Sequence, residues 1–194
     1  MSRLEQLEKM YLLGVDLGRR TMWLNPLSEN ESESDRLHKF LKDLHALDSS
    51  APAGDKPITI IMNHDGGEIY AGMAIYDAIM QAANHITIIV RGSASSMGAV
   101  ILQAADHRIV SEHSIVMIHK GQVGYSGHEA DVESWRNFER KYLAKIDNIL
   151  VQRIKHKKPR FNKKALDKLQ LFDRPYTAED AVKEGLADEV LANE

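Results

Sequence analysis

The chain has 194 residues, enough for one domain that buries a core without disulfide or metal staples. It contains no cysteine, which excludes a disulfide framework, a thiolate nucleophile and a cysteine-ligated metal. Its 25 lysines and arginines against 28 acidic residues leave a formal charge of -3, a balance that argues against general affinity for nucleic acid.

In chain order, the short opening segment, residues 1–13, places Leu4, Leu7 and Met10 at helical spacing. That predicts a short helix that docks on a partner or on the body, or frays. Charges recur every few positions from Met1 to Met10, so the stretch reads as neither a secretion signal nor a membrane span, and the expected location is the cytoplasm. The acidic segment Ser28 to Ser34 reads as a solvated loop leading to a helix with Leu37, Phe40, Leu41, Leu44 and Leu47 on one face. Ser49 to Lys56, with Pro52, Gly54 and the following Pro57, reads as a linker. Beyond it the predicted order is strand (Ile58 to Met62), glycine turn, helix (Ala71 to Ala82), strand (Ile86 to Val90), serine turn, helix, strand (Arg108 to Val110) and strand (Ile115 to Ile118). Such alternation predicts parallel strands with crossover helices, hence an α/β domain.

The serine turn is the run Gly92-Ser93-Ala94-Ser95-Ser96-Met97-Gly98-Ala99. A serine between a strand and a helix is lifted out of the sheet toward substrate, with the first helical amides facing the place where an oxyanion forms. Small residues also pack simply where a strand meets a helix. Downstream, His119 ends an apolar strand beside a glycine-bearing loop, and Asp173 precedes Arg174-Pro175. Singly, a histidine is a core or surface residue and an aspartate before a proline is a cap or turn. Together Ser96, His119 and Asp173 supply a nucleophile, a base and an acid that orients the base. Ser93 and Ser95 are rival nucleophiles at this stage.

After the His119 loop, Val132, Trp135, Phe138, Tyr142, Ile146, Ile149 and Leu150 recur at helical spacing. A single helix from Glu129 to Lys157 runs roughly 40 Å at about 1.5 Å per residue, too long to pack wholly against a body of this size. It either bends over its own core or carries an oligomer contact. The basic run Lys155 to Arg160 reads as solvated charge at a helix carboxyl end rather than a nucleic-acid footprint. His64, Asp65 and Glu68 surround two glycines and have no second histidine at ligand spacing, so a turn is the reading here and no metal site is expected.

Several ordered motifs carry a more specific resemblance. They are Asn63-His64-Asp65-Gly66-Gly67, Ala71 to Asp77, Met97-Gly98 after the serine, Met117-Ile118-His119, and Asp173 followed by Thr177 to Asp188. From about Ile58 to Val190 the chain resembles ClpP, the proteolytic subunit family of the ATP-dependent Clp proteases. The resemblance implies a single peptidase domain over 1–194 in a ClpP/crotonase-like α/β fold of repeated β-β-α units. It implies a projecting handle loop and helix at about 120–160. It places the nucleophile on Ser96, because the family has methionine directly after it, the base on His119, the acid on Asp173 and the oxyanion amides on Gly67 and Met97.

The implied activity is serine endopeptidase cleavage of peptides or unfolded proteins inside a ring chamber, built by self-association into a double heptamer. No cofactor is implied for this chain; ATP enters only through a partner AAA+ unfoldase, and other ClpP-like subunits are further partners. Neither nucleic acid nor membrane is an expected partner. The competing readings are a weak or inactive ring subunit of the same fold and, further off, an acyl-CoA enzyme of the crotonase type, which needs a glutamate base.

Departures from the family pattern set further expectations. His64-Asp65 stands where the family commonly has Ser-Pro, which is expected to loosen the oxyanion turn and requires Asp65 to point away. Lys120-Gly121 replaces Gln-Pro, putting a cation beside the base if its side chain turns inward. Leu171-Phe172 replaces residues that couple ring to ring in the family. Thr59 and Ile61 occupy positions of tyrosines in the family's unfoldase pocket, and only about a dozen residues precede Leu12-Leu13-Gly14, so a full axial loop is not expected.

Overall fold

The computed structural model describes residues 3–25, 32–48, 56–121 and 124–191. Most of the acidic segment after Ser28, nearly all of the Ser49 to Lys56 linker, and Gln122-Val123 of the His119 loop lie outside the described residues. Helix α1 (Arg3–Leu13) forms as the leucine spacing predicts, yet Leu4, Tyr11 and Leu12 remain exposed. It leads into β1 (Val15–Asp16), β2 (Thr21–Leu24) and α2 (Glu33–Leu47). Helix α2 starts inside the segment read as loop, because Ser32 Oγ accepts the Asp35 N–H and caps it. On its inner face Leu37, Phe40 and Leu44 are buried, whereas Leu47 is exposed.

The sheet is built on β3 (Ile58–His64) and β4 (Ile86–Ser95), joined through α3 (Ile69–Met80). Along each strand buried and half-buried residues alternate, so Ile58, Ile60, Met62, Ile86, Ile88 and Val90 face one way. These side chains share a core with Leu37 and Phe40 of α2, Ile75 and Ile79 of α3, and Ile101 and Leu102 of α4 (Met97–Leu102). Full burial of each such side chain is worth about 1.5–3 kcal/mol, which makes β3 and β4 the stable platform for whatever sits at their ends.

The remaining strands are β5 (His107–Ser111), β6 (Ile115–Ile118), β7 (Arg174–Tyr176) and β8 (Glu189–Leu191), with α5 (Glu129–Lys157), α6 (Lys163–Leu169) and α7 (Ala178–Glu184) between them. The main path is β1-β2-β3-β4-β5-β8, parallel except for β1 with β2. The strands expected between Ile58 and Ile118 are parallel as predicted; the antiparallel pairs involve β1 and β7, which the alternation does not include, β7 pairing antiparallel with β6.

Strand β4 corrects a second boundary. It does not stop at Val90 but continues through Gly92-Ser93-Ala94-Ser95, exchanging its partner β5 for β6 with Ser93 opposite Ile115 and Ser95 opposite Met117. Gly92 has φ +110°, and a Cβ on it would lie 2.5 Å from Asn63 Oδ1, so the change of partner requires glycine there. Asn63 Oδ1 in turn accepts the Ser93 N–H at 3.0 Å.

Helix α5 has the predicted limits, and its two halves differ. Ile146, Leu150, Val151 and Ile154 are buried on the body, whereas Trp135 and Phe138 are 57% and 47% exposed. The amino-terminal half projects, and its aromatic residues touch in a row: Trp135 edge-on to Phe138 with ring centroids 5.9 Å apart, Phe138 stacked on Tyr142 at 5.8 Å, and Tyr142 tilted against Tyr70 of α3 at 5.3 Å.

Candidate active site

The site lies where β4 passes into α4. Ser96 has φ +54° and ψ -119°, a conformation that a residue with a Cβ avoids at a cost of about 1–3 kcal/mol. Several contacts maintain it. The Ser96 N–H donates to the Met117 carbonyl at 2.9 Å, while the Ala99 N–H returns to the Ser96 carbonyl at 3.1 Å. Gly66 of the preceding loop rests against the turn so closely that a Cβ on it would lie 2.6 Å from Ser96 Cβ and 2.9 Å from the Ser95 carbonyl oxygen.

His119 follows β6, and its ring joins two side chains. Nε2 is 2.8 Å from Ser96 Oγ and Nδ1 is 3.0 Å from Asp173 Oδ1. Strand register explains the meeting: β4 carries Ser96 beside β6, and the antiparallel pairing of β7 with β6, Arg174 opposite Ile118, returns Asp173 to His119. Pro175 lies within this exposed outer strand rather than marking only a turn. The rival serines bond to each other instead, Ser93 Oγ to Ser95 Oγ at 2.6 Å, with Ser95 buried. The His119 ring is about one-quarter exposed, whereas the Asp173 side chain is largely exposed.

Gly67 and Met97 border the same cavity, of about 240 Å³, with Ser96 and His119. Its apolar wall comes from Ile69 and Val100 together with Leu143, Ile146 and Leu150 of α5, so the inner half of the long helix is the floor of the site. Met97 is the first residue of α4, and a first-turn amide has no acceptor within its own helix. Gly67 has φ +139°.

Three features escape the sequence reading. Gln170, buried at the end of α6, donates from Nε2 to the His119 carbonyl at 3.5 Å. Against the expectation of a looser turn, His64 Nδ1 accepts the Gly66 N–H at 2.9 Å and closes the turn. Glu33 of α2 accepts from His64 Nε2 at 2.7 Å. Sequence spacing marks none of these.

The other departures are also placed. Asp65 is exposed. Lys120 is directed at Asp167, 3.7 Å away, rather than at the imidazole. Glu68 caps α3 through the Ala71 N–H at 2.7 Å, so the His64, Asp65 and Glu68 run is a turn and a cap. Among the described residues no group of three His, Cys, Asp or Glu could hold a metal ion, and no helix is long and apolar enough to cross a membrane.

A serine, a histidine and an aspartate hydrogen-bonded in series beside an apolar cavity in a mixed α/β sheet are the arrangement of a serine hydrolase. Comparison with known proteins narrows the class. Residues 20–194 match the Clp protease family. The ATP-dependent Clp protease proteolytic subunit of Deinococcus radiodurans is 35% identical over 163 residues, covering 82% of this chain and 76% of that protein. The protein of the same name from Bacteroides thetaiotaomicron is 36% identical over 149 residues, 75% of this chain and 64% of the relative. ATP-dependent Clp protease proteolytic subunit 1 of Chlamydia pneumoniae is 31% identical over 177 residues, covering 89% and 86%. The chain belongs to the Clp protease family, whose members are serine endopeptidases with this α/β fold.

Proposed function

We propose that the chain is a single peptidase domain, residues 1–194, in which Ser96, His119 and Asp173 carry out peptide hydrolysis. His119 Nε2 takes the Ser96 hydroxyl proton as Oγ attacks a peptide carbonyl, and Asp173 accepts from Nδ1–H and favours the tautomer that leaves Nε2 free. The amides of Gly67 and Met97 receive the oxyanion. The imidazolium returns its proton to the leaving amine, and a water, deprotonated by the same ring, releases the acyl group from Ser96. The observation that carries this reading is the continuous chain of contacts from Ser96 Oγ to His119 Nε2 at 2.8 Å and from Nδ1 to Asp173 at 3.0 Å.

The relatives' names, which mark proteolytic subunits of ATP-dependent proteases, support work with an AAA+ unfoldase that supplies the ATP-dependent step, and the exposed aromatic row on α5 supports self-association, which we read as two stacked heptameric rings in the cytoplasm. Unfolded polypeptide is the substrate class. No cofactor takes part within this chain. The decisive experiment is labelling with a fluorophosphonate: the label appears on Ser96, and Ser96→Ala lowers peptide hydrolysis by about 10⁶. Labelling of Ser93 or Ser95 with Ser96 unmodified overturns the assignment.

A further inference from the structure

His64 belongs to a second carboxylate–imidazole pair, and this one touches the oxyanion loop. The ring is buried, 5% exposed. Its Nε2 lies 2.7 Å from Glu33 Oε2, and its Nδ1 accepts the Gly66 N–H at 2.9 Å. A carboxylate accepts and a backbone amide donates, so these two partners fix the tautomer with the proton on Nε2 and a lone pair on Nδ1. An acceptor two residues before the N–H it binds is the geometry by which asparagine or aspartate closes a turn on its own backbone. His64 closes this turn with a ring nitrogen instead.

The turn so closed borders the reacting centre. Gly66 and Gly67 have φ +103° and +139°, and a Cβ on Gly66 would lie 2.6 Å from Ser96 Cβ and 3.2 Å from Met97 N. His64 itself has little freedom. It pairs with Ala94 in the sheet, and its carbonyl oxygen would lie 2.5 Å from a Cβ on Gly98 in α4. Glu33, in the first turn of α2 where negative charge is favoured, has one oxygen committed to His64. The other, Oε1, is buried without a hydrogen-bond partner among the described residues. The Glu33 side chain is 22% exposed, so it is this one oxygen alone that is shut off from solvent, a modest cost that accompanies orienting the ring.

We propose that Glu33 and His64 are a positioning pair for oxyanion stabilisation: Glu33 holds the imidazole, and the imidazole holds the Gly66 amide so that the next amide, on Gly67, faces the developing charge. The proposal rests on reading Ser96 as the nucleophile and Gly67 and Met97 as oxyanion donors. Neither Glu33 nor His64 touches substrate. Their effect falls on the transition state, because displacing an oxyanion donor weakens charge stabilisation without changing the contacts that bind the ground state.

The test measures kcat and KM of the full-length assembled protein on a short fluorogenic peptide, with melting temperature and native mass as controls for folding. His64→Ala is expected to lower kcat about 10- to 100-fold with KM within about twofold, since small misplacement of a catalytic group costs rates of this order. His64→Asn, whose Oδ1 can accept the Gly66 N–H, is expected to recover kcat to within about threefold of wild type. Glu33→Ala is expected to lose several-fold in kcat, and Glu33→Gln, which still offers an acceptor to Nε2–H, to lose less than about twofold. Wild-type kcat in His64→Ala, a loss confined to KM, or an Asn variant as poor as Ala overturns the positioning pair while Ser96-dependent turnover in the wild type keeps the active-site reading intact. If His64→Ala fails to fold, equal kcat in Glu33→Ala and Glu33→Gln overturns the pair instead. Wild-type turnover that survives Ser96→Ala overturns the active-site reading itself, and the pair with it.

Discussion

The Ser96 N–H donates to the carbonyl of Met117, two residues before His119, at 2.9 Å. One backbone bond thus links the strained turn that carries Ser96 to the strand that precedes His119. The Ser96 to His119 distance is set by sheet registry, and only the approach of Asp173 depends on an outer strand.

That difference predicts unequal costs. His119→Ala is expected to lose nearly as much as Ser96→Ala, about 10⁶ in kcat, because no group remains to take the proton. Asp173→Asn is expected to lose about 10⁴, since the imidazole stays but its tautomer is no longer favoured. Steady-state hydrolysis of a fluorogenic peptide checks both, and wild-type activity in His119→Ala contradicts the scheme.

Ser96, His119 and Asp173 stand out in the sequence because each sits at a boundary between a patterned run and a break, and the structure brings these three side chains into contact. The limits of α5 were equally legible, since its apolar residues recur regularly and Pro159 follows shortly after its end. The far end of β4 was not. Gly92-Ser93-Ala94-Ser95 has the composition of a turn, and only its pairing with the distant β6 makes it a strand. The start of α3 was missed for a similar reason: its cap is Glu68, a residue type outside the usual capping set. Glu33 and His64 are separated by a helix and a strand, so nothing local announces their contact.

Assembly is the second prediction. The outer half of α5 leaves Trp135 and Phe138 exposed while the inner half is buried, and aromatic rows of this kind anchor subunit contacts. Trp135→Glu and Tyr142→Glu are expected to split the ring assembly or block its formation. Native mass spectrometry reads the result; a wild-type protein that is monomeric at micromolar concentration contradicts it.

Acid sensitivity is expected at a site remote from Ser96. Arg108, buried beneath Gln103, holds both oxygens of Asp188, with Nε 2.9 Å from Oδ2. Burial acts to raise the Asp188 carboxyl, and hydrogen bonds and charge from Arg108 overcome it, leaving the carboxyl below its ordinary value. A depressed carboxyl contributes stability above about pH 4, its unfolded value, and loses it as pH falls through the folded value. Wild type is therefore expected to lose melting temperature below about pH 4. Asp188→Asn is expected to lose about 2 kcal/mol at neutral pH, less than a fully buried pair because Asp188 is 37% exposed. Its acid-induced loss is correspondingly smaller; identical pH profiles of the two proteins contradict the account.

The last prediction concerns the unfoldase. Thr59 and Ile61, at positions where the resemblance to ClpP implies tyrosines, are half-buried on β3, and Trp23 of β2 pairs in register with Ile61. Aromatic anchors often carry about 2 kcal/mol or more each, so a Clp unfoldase is expected to bind at least roughly tenfold more weakly than it binds a tyrosine-bearing relative, about 1.4 kcal/mol. Ile61→Tyr is expected to recover part of the loss. ATP-dependent degradation of a tagged folded substrate, titrated with unfoldase, measures it; tight saturable stimulation by the unmodified chain contradicts it.

The pairing of β7 with β6 also orders events in time. Asp173 reaches His119 only after the polypeptide has run through α5 and α6 and turned back along β6. Domains generally fold as units, so the contact that completes the proposed triad forms only when β7 has been made and has paired with β6.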